Sequence, residues 1–230
     1  MKVGSYQESA QTALENFAQK DAAKKRLLVD AVKDLQPQRI LDLGCGAGQD
    51  VLPFVEKTNA FCVGLDHAAE LGAVVKTVFG QNDLKDRTAF VRSVGERLPF
   101  ADASFDVVLC RVALPYMNNR QTIAEVARVL KPNGVFLLKT HAPAFYFNLL
   151  KSRTKTFNTK QIAYPLICLA GSFWHQLTGK QLTKGFWAGK EIFQTKAFLR
   201  SECAKNNLRI ERELADTNRQ TPSFYIRKIK

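Results

Sequence analysis

Residues 40–50 read ILDLGCGAGQD, the most informative segment of this sequence. An apolar strand runs into an acidic residue, Asp42, and then into a turn with glycine at alternate positions. Such glycines let the backbone turn sharply and approach a ligand with no side chain in the way. In open α/β sheets, a turn between a parallel strand and a helix forms the crevice that binds nucleotides. The stretch therefore predicts a ligand site at the end of the first strand. The glycines are Gly44, Gly46 and Gly48.

A second acidic residue, Asp66, closes the next apolar run, residues 60–65. A carboxylate at the tip of a second strand can accept hydrogen bonds from both hydroxyls of a ribose. Asp66 also follows the glycine turn by about 20 residues, as a nucleotide-binding βαβ unit requires. Asp66 is therefore predicted to bind a nucleoside through its ribose.

Two later segments complete a set of four motifs, VGERLPFADASFDVVLC at 94–110 and EVARVLKPNGVFLL at 125–138. In this order, over roughly residues 38–141, the motifs resemble those of the class I S-adenosylmethionine-dependent methyltransferases. The last two are similar to the type 11 subgroup, whose members act mostly on small molecules. The glycine pattern D-L-G-C-G-A-G also differs from the G-x-G-x-x-G turn of dinucleotide enzymes. The alternative is a degenerate Rossmann domain that binds nothing.

Strands alternate with helices along the chain, which predicts a parallel sheet with helices on both faces. The resemblance implies an α/β, Rossmann-like sheet of seven mostly parallel strands with an antiparallel last strand, in a single domain over 1–230. Predicted strands cover 39–43, 60–66, 88–93, 105–111, 135–140, 209–214 and 223–229, with a turn at 131–134. Predicted helices cover 9–35, two segments that end near 57 and 79, 120–130 and 191–205. Within the domain we distinguish an N-terminal helical cover (1–36), a cofactor-binding core (38–141), an insertion (143–190) and a C-terminal helix with a closing hairpin (191–230).

The insertion, residues 143–190, does not belong to the minimal pattern of the fold. It contains nine aromatic residues, and residues 161–179 carry no formal charge unless His175 is protonated. Lysines and arginines flank this uncharged run on both sides. Insertions at this place lie beside the methyl donor in the family that the chain resembles, so the resemblance implies a helical lid over the acceptor.

The net charge of +13 is unevenly distributed. Residues 1–106 hold 13 basic and 15 acidic side chains, whereas residues 107–190 hold 12 basic side chains and one acidic side chain, Glu125. A field of this kind attracts nucleic acid, anionic lipid or an acidic substrate. A solvated basic surface that aids solubility is the alternative.

The resemblance implies S-adenosylmethionine as the methyl donor and S-adenosylhomocysteine as the product. Cys45 is predicted to fill space rather than act as a nucleophile, and Arg111 lies near the methionine moiety or in a salt bridge elsewhere. Val94 stands where relatives often carry an aspartate that binds adenine, so that contact passes to the backbone. Tyr6 is a candidate to fold over the donor. The residues predicted to bind the donor are Asp42, Gly44, Cys45, Gly46, Gly48, Asp66, His67, Gly95, Glu96 and Arg111.

Methyl transfer from a sulfonium depends mainly on positioning and exclusion of water, so no universal catalytic residue is required. His141 follows the fifth strand, where the acceptor pocket should open, and histidine has a pKa suited to proton removal near neutral pH. Tyr116 is predicted to face the same region, and His175 lies within the insertion. A structural role is the alternative for both histidines.

Three functions follow as hypotheses. The first is O-, N- or C-methylation of a small, hydrophobic or partly anionic acceptor, with the basic rim of the insertion in contact with an anionic membrane. The second is an RNA methyltransferase that uses the basic 107–190 surface. This hypothesis is less favoured because the sequence lacks the N-P-P-[YF] tetrad of enzymes that methylate the amino groups of adenine and cytosine. The third is a non-catalytic cofactor-binding protein. Five scattered cysteines without a C-x-x-C pair predict no metal site and a reducing, cytoplasmic compartment, with at most peripheral contact with a membrane. The polar segment over 1–20 predicts no signal or transit peptide.

Overall fold

The structure is a computed structural model that describes residues 22–68, 82–155 and 159–229. Its centre is a seven-stranded sheet with the spatial order β3-β2-β1-β4-β5-β7-β6. Strands β1 to β5 pair in parallel, whereas β7 runs antiparallel to both β5 and β6. This arrangement confirms the predicted sheet. The strands are β1 Arg39–Leu43, β2 Phe61–Asp66, β3 Thr88–Arg92, β4 Phe105–Arg111, β5 Leu130–Lys139, β6 Leu208–Glu213 and β7 Ser223–Lys228.

Helices pack on both faces of this sheet, and two further helices lie within the insertion. The α-helices are α1 Ala22–Val32, α2 Leu52–Lys57, α3 Asn119–Val129, α4 Pro143–Thr154, α5 Thr159–Thr178 and α6 Lys196–Lys205. Short 3-10 helices cover Lys33–Leu35, Asn82–Arg87, Leu114–Tyr116 and Gly185–Trp187. The helical character of the insertion agrees with the prediction. The predicted segments 9–21 and 69–79 lie outside the described residues.

The two faces of the sheet bury separate apolar clusters. Along β1, Ile40 packs with one cluster, whereas Leu41 and Leu43 pack with the other, because successive side chains of a strand point to opposite faces. Leu28 from α1 covers the first face, and Ile123 from α3 covers the second. Burial on both faces explains why the central strands are almost continuously apolar.

The C-terminal helix starts later than predicted. The pattern predicts a helix from 191, but α6 begins at Lys196, and the side chain of Thr195 caps it by accepting from the backbone N–H of Phe198. The preceding residues, 191–194, are buried and not helical. Tertiary burial therefore overrides the local helical pattern here.

The turn predicted at 131–134 falls within the first half of β5. Asn133 adopts a left-handed backbone with φ 63°, and continuous pairing of β5 with β4 starts at Val135. The residues of the turn thus interrupt the strand rather than precede it.

Candidate functional site

The glycine turn after β1 is pressed closely against its neighbours. Gly44 has φ 74°, and a Cβ at this position would lie 2.3 Å from Cβ of Ala113. The backbone N–H groups of Gly44 and Cys45 both donate to the carbonyl of Leu65, at 2.8 and 3.0 Å. A side chain at 44 is therefore excluded by both contact and backbone conformation, and the turn is attached to the end of β2.

Asp66 holds the same turn from the tip of β2. Its Oδ2 accepts from the backbone N–H of Gly46 at 3.1 Å, and its Oδ1 accepts from that of Ala68 at 3.1 Å. The residue is only 8% exposed. Because each carboxylate oxygen can accept more than one hydrogen bond, both oxygens retain capacity for a ligand. His67, next to it, has a largely exposed side chain whose Nδ1 lies 3.3 Å from Oδ1 of Asp66.

A cavity of about 460 Å³ opens at the carboxyl ends of β1, β2 and β4. β1 lies between β2 and β4, so this is the point at which the strand order reverses, where open α/β sheets bind ligands. Seven of the ten predicted donor-binding residues line the cavity. They are Gly44, Gly46, Asp66, His67, Gly95, Glu96 and Arg111.

The loop after β3 forms one wall of the cavity. Val94 lines it and is 48% exposed, so it presents apolar surface where an aspartate is common in relatives. Gly95 approaches Met117 so closely that a Cβ would lie 2.6 Å from the sulfur. Oε1 of Glu96 accepts from the backbone N–H of Asn118 at 2.7 Å. Glu96 thus attaches this loop to the start of α3.

The other three predicted donor-binding residues, Asp42, Cys45 and Gly48, do not line the cavity. Asp42 is 2% exposed, and its Oδ2 has no hydrogen-bond partner among the described residues. Cys45 is buried, and this burial raises the pKa of its thiol well above the ordinary value, as expected for a space-filling residue. Gly48 has φ 84° and donates to the carbonyl of Cys45 at 2.8 Å, which closes the turn.

Arg111 joins the cavity to a group of buried charges. Its guanidinium lies 2.9 Å from Oδ2 of Asp216 and 3.6 Å from Oδ2 of Asp50. Nζ of Lys139 lies 2.8 Å from the same oxygen of Asp216. We call the group formed by the carboxylates of Asp42, Asp50 and Asp216 and the cations of Arg111 and Lys139 the acidic cluster. Both alternatives for Arg111 are therefore compatible with its position, since it lines the cavity and forms salt bridges.

The carboxylates of the acidic cluster have different protonation preferences. Burial, followed by repulsion from Asp50, raises the pKa of Asp42 well above its ordinary value. Burial likewise raises the pKa of Asp50. Burial also acts to raise the pKa of Asp216, but hydrogen bonds from Lys139 and Arg111 outweigh it and lower that pKa to about 2. The two cations therefore stabilise the negative charge of Asp216 most strongly. They do not offset the effect of burial on the charge of Asp42.

The predicted catalytic residues lie in different surroundings. Tyr116, in the 3-10 helix after β4, lines the cavity and is 55% exposed. His141 does not line the cavity and is buried, and its ring stacks on that of Phe145 with a 3.8 Å separation of centroids. His175 is buried against Phe198 on the inner side of α5, and its Nδ1 has no hydrogen-bond partner within the described part of the chain. Tyr6 lies outside the described residues.

A second buried cluster surrounds Glu191, which the sequence analysis did not single out. Oε2 of Glu191 accepts from the hydroxyl of Tyr146 at 2.8 Å and lies 2.8 Å from Nδ1 of His141, and Oε1 accepts from the hydroxyl of Tyr164. We call these four residues the Glu191 cluster. Burial acts to raise the pKa of Glu191, but the hydrogen bonds from His141, Tyr164 and Tyr146 hold it below its ordinary value.

The sequence does contain a signal for Glu191. It is the only acidic residue between Glu125 and Glu202, and it precedes the apolar pair Ile192 and Phe193. An isolated acid beside apolar residues indicates a buried, paired carboxylate rather than a solvated one. Asp216, by contrast, lies in the polar loop between β6 and β7, where nothing distinguishes it from a surface residue.

Part of the chain is similar to a known family. Residues 41–138 match the family described as "Methyltransferase domain". The Bacillus subtilis protein named "Uncharacterized methyltransferase YcgJ" is 36% identical over 116 residues, which are 50% of this chain and 45% of that protein. The malonyl-[acyl-carrier protein] O-methyltransferase of Methylovorus sp. is 33% identical over 145 residues, 59% of this chain and 48% of that protein. The chain spans about half the length of the curated relatives it matches.

Solved structures show the same fold. Magnesium protoporphyrin IX methyltransferase from Synechocystis PCC 6803, with bound S-adenosylhomocysteine, has a TM-score of 0.62 over 96% of this chain and 83% of that chain. The sequences are only 14% identical, so this likeness concerns the fold alone. Residues 41–138 are thus similar to the type 11 methyltransferase domain, and the fold is the one found in class I S-adenosylmethionine-dependent methyltransferases.

Proposed function

We propose that this protein transfers a methyl group from S-adenosylmethionine to a small, hydrophobic or partly anionic acceptor, by O-, N- or C-methylation. The observation that carries the proposal is the cavity at the switch point of the sheet, with Gly44, Gly46 and Asp66 on its wall. Those residues match the donor-binding motifs of the family residue by residue. The matched domain supports the class of reaction, and the acceptor is inferred from the walls of the cavity.

The residues present fit such a donor. Asp66 retains acceptor capacity for the hydroxyls of a ribose, because each of its oxygens so far accepts one backbone N–H. Around the turn, four carboxylates face two cations, and Oδ2 of Asp42 has no described partner. When bound, S-adenosylmethionine supplies an electrophilic methyl group on a positively charged sulfur. An excess of buried negative charge would favour a cationic ligand nearby. The four carboxylates are Asp42, Asp50, Asp66 and Asp216, and the cations are Arg111 and Lys139.

The acceptor side of the cavity is mostly apolar. Val112, Ala113 and Met117 line it beside the ring of Tyr116, and Gly189 contributes the end of the insertion. These contacts support a hydrophobic acceptor, and they support the insertion as a lid that would exclude water from the reacting groups. Tyr116 is the predicted catalytic residue that lies at the cavity wall. The role of His141 as a general base stays a prediction, because its ring is buried beside Glu191 and outside the cavity.

The proposal is tested by transfer of a tritiated methyl group from S-adenosylmethionine into a host-cell extract, which is then separated into organic-soluble, nucleic-acid and protein fractions. Asp66→Ala is the blank, and Asp86→Ala, at an exposed position, is the matched control. Loss of hydrogen bonds to a carboxylate costs about 1.5–3 kcal/mol, so we expect donor affinity to fall roughly 10- to 100-fold in Asp66→Ala alone. Calorimetric binding of the donor measures this change without an acceptor.

The organic and nucleic-acid fractions, together with donor binding, separate the three hypotheses. Radioactivity in the organic phase would support the small hydrophobic acceptor. Radioactivity in RNA would replace it with the RNA methyltransferase that uses the basic 107–190 surface. Donor binding without transfer into any fraction would support the non-catalytic alternative.

A further inference from the structure

Helix α5 exposes an apolar face to solvent, although the ring of Phe173 on this face also packs edge-on against that of Phe193, with 5.4 Å between centroids. Leu166, Phe173, Trp174 and Leu177 are 48%, 49%, 47% and 86% exposed. Their spacing of seven, one and three residues, with the exposed Ala170 between them, puts them on one side of an α-helix. The opposite side of α5 is the one that packs inward. Its buried residues include Cys168, Ser172 and His175.

A neighbouring aromatic residue extends this face. Phe186 is 65% exposed and packs edge-on against Trp187, with 5.4 Å between ring centroids. The ring of Trp187 in turn lies against Gly171 of α5, where an added Cβ would be 3.0 Å from it. We call Leu166, Phe173, Trp174, Leu177 and Phe186 the apolar face of the insertion. Exposed apolar groups concentrated in this way indicate an interaction surface rather than scattered surface residues.

The insertion that carries the apolar face has only positive formal charges. Residues 143–190 contain seven lysines or arginines and no acidic residue. Lys151, Lys155, Lys180 and Lys184 are exposed, and no carboxylate in the described ranges lies within ion-pairing distance of any of them. Nζ of Lys190 lies over the ring of Phe186, at 5.8 Å from its centroid. A helix with aromatic and leucine side chains on one face and lysines beside it has the composition of an interfacial membrane helix.

The charge selects among possible occupants. Two copies of this chain that met through the apolar face would bring two acid-free, basic segments together, which like-charge repulsion opposes. An anionic lipid surface offers both an apolar interior for Trp174 and Leu177 and negative headgroups for the lysines. Within the described ranges, no helix combines the length and apolarity needed to cross a membrane, so contact would be in the plane of the interface.

We propose that the apolar face of the insertion docks this protein on anionic membranes, with α5 lying in the plane of the bilayer surface. The docking does not depend on the proposed methyl transfer. If that transfer also holds, docking brings the cavity, which Gly189 of the insertion lines, next to the phase where a hydrophobic acceptor concentrates.

Vesicle binding of the full chain tests the proposal, without donor or acceptor. The probes are vesicles of phosphatidylcholine alone and of phosphatidylcholine with 30% phosphatidylglycerol (about one lipid in three), measured by cosedimentation and by tryptophan emission. We expect the protein to bind the anionic vesicles at least tenfold more tightly than the neutral ones. A blue shift of tryptophan emission should accompany binding, because Trp174 enters the apolar region.

Two pairs of variants separate the apolar contribution from the electrostatic one. Leu177→Glu should weaken anionic-vesicle binding at least tenfold, whereas Ile229→Glu makes the same kind of change at an exposed apolar position near the C-terminus and should leave binding unchanged. Lys180→Gln combined with Lys184→Gln should weaken binding roughly 25-fold, about fivefold for each lysine. The control exchanges Lys33 and Lys57, which are also exposed, for glutamine.

Three results would overturn the proposal. The first is equal binding by Leu177→Glu and the unmodified protein. The second is binding of a single-stranded RNA, such as polyuridylate, that Trp174→Ala weakens, with no binding to either vesicle at low salt. The third is a dimer in sedimentation velocity that Leu177→Glu dissociates. Circular dichroism of each variant shows whether it is folded before any loss of binding is interpreted.

Discussion

The carboxylates of Asp42 and Glu191 are both almost completely buried, at 2% and 4% exposure, yet their surroundings act on them in opposite directions. Glu191 accepts from two tyrosine hydroxyls and is paired with His141, and its pKa is held below the ordinary value. Asp42 has an oxygen without a described partner, and burial together with Asp50 raises its pKa. A buried charge normally requires complete pairing.

The difference separates a cluster whose buried carboxylate is fully paired from one that leaves a buried carboxylate oxygen without a described partner. The Glu191 cluster is complete without any further molecule, and it joins the end of β5 to α4, α5 and the chain after the insertion. The acidic cluster beside the cavity is incomplete, because its carboxylates outnumber its cations and are not all satisfied. An unsatisfied buried carboxylate beside a cavity is compatible with a ligand that would complete it. We therefore expect removal of the Asp42 carboxylate and removal of the Glu191 carboxylate to change stability with opposite signs.

The largest effect is expected for Glu191→Ala. This change leaves two tyrosine hydroxyls and His141 without their acceptor in a buried region, so the free energy of unfolding should fall by about 3–5 kcal/mol. Urea denaturation at neutral pH measures the loss. Glu213→Ala, which removes an exposed partner of Lys196, is the control and should cost no more than about 1 kcal/mol. A loss in Glu191→Ala as small as that of the control would mean that the cluster does not hold the insertion in place.

A gain in stability is expected for Asp42→Asn. Since the folded protein raises the pKa of Asp42, folding opposes its ionisation, and stability falls as pH rises from the ordinary value of 3.8 through the folded pKa. At neutral pH the amide avoids this cost, so the free energy of unfolding should rise by roughly 1 kcal/mol. Below pH 3.8 the gain should disappear. Destabilisation at pH 7 would show that Asp42 is satisfied in solution and that the contrast with Glu191 is wrong.

A smaller loss is expected for Asp216→Asn. The pKa of Asp216 is lowered to about 2, so its contribution to stability is present above the ordinary value of 3.8 and is lost as pH falls towards 2. We expect the variant to lose about 1 kcal/mol at pH 7, because Lys139 and Arg111 keep a partial acceptor in the amide. Thermal unfolding at pH 7 and at pH 2 measures the two values. An equal loss at both values would assign the effect to packing rather than to charge.

Much of the cavity wall could be predicted because its signals are local. Gly44, Gly46 and Asp66 lie within two strand–turn units, and strand alternation fixes where those units end. The antiparallel β7 followed from the resemblance rather than from residue patterns, and the spatial order of the strands was not predicted. The start of α6 could not be predicted, because residues 191–194 have a helical pattern locally but are buried by contacts with distant parts of the chain.

The remainder of the site depends on contacts between distant residues. Asp216 reaches Arg111 from 105 positions along the chain, and Glu191 reaches His141 from 50 positions away. Neither pairing can be inferred from the spacing of its two residues in a single sequence. His141 illustrates the consequence, since its position after β5 suggested an acceptor-side base, whereas its surroundings depend on a glutamate at the far end of the insertion.

The position of Glu191 also determines how much of this protein could be moved to another scaffold. A graft of residues 143–190 would carry Tyr146 and Tyr164 but leave behind the carboxylate to which both donate. The transplanted helices would then lack the acceptor for the hydroxyls of the buried Tyr146 and the partly buried Tyr164. The portable module is therefore the segment from His141 to Glu191, which begins and ends on two side chains that contact each other, with 2.8 Å between Nδ1 of His141 and Oε2 of Glu191.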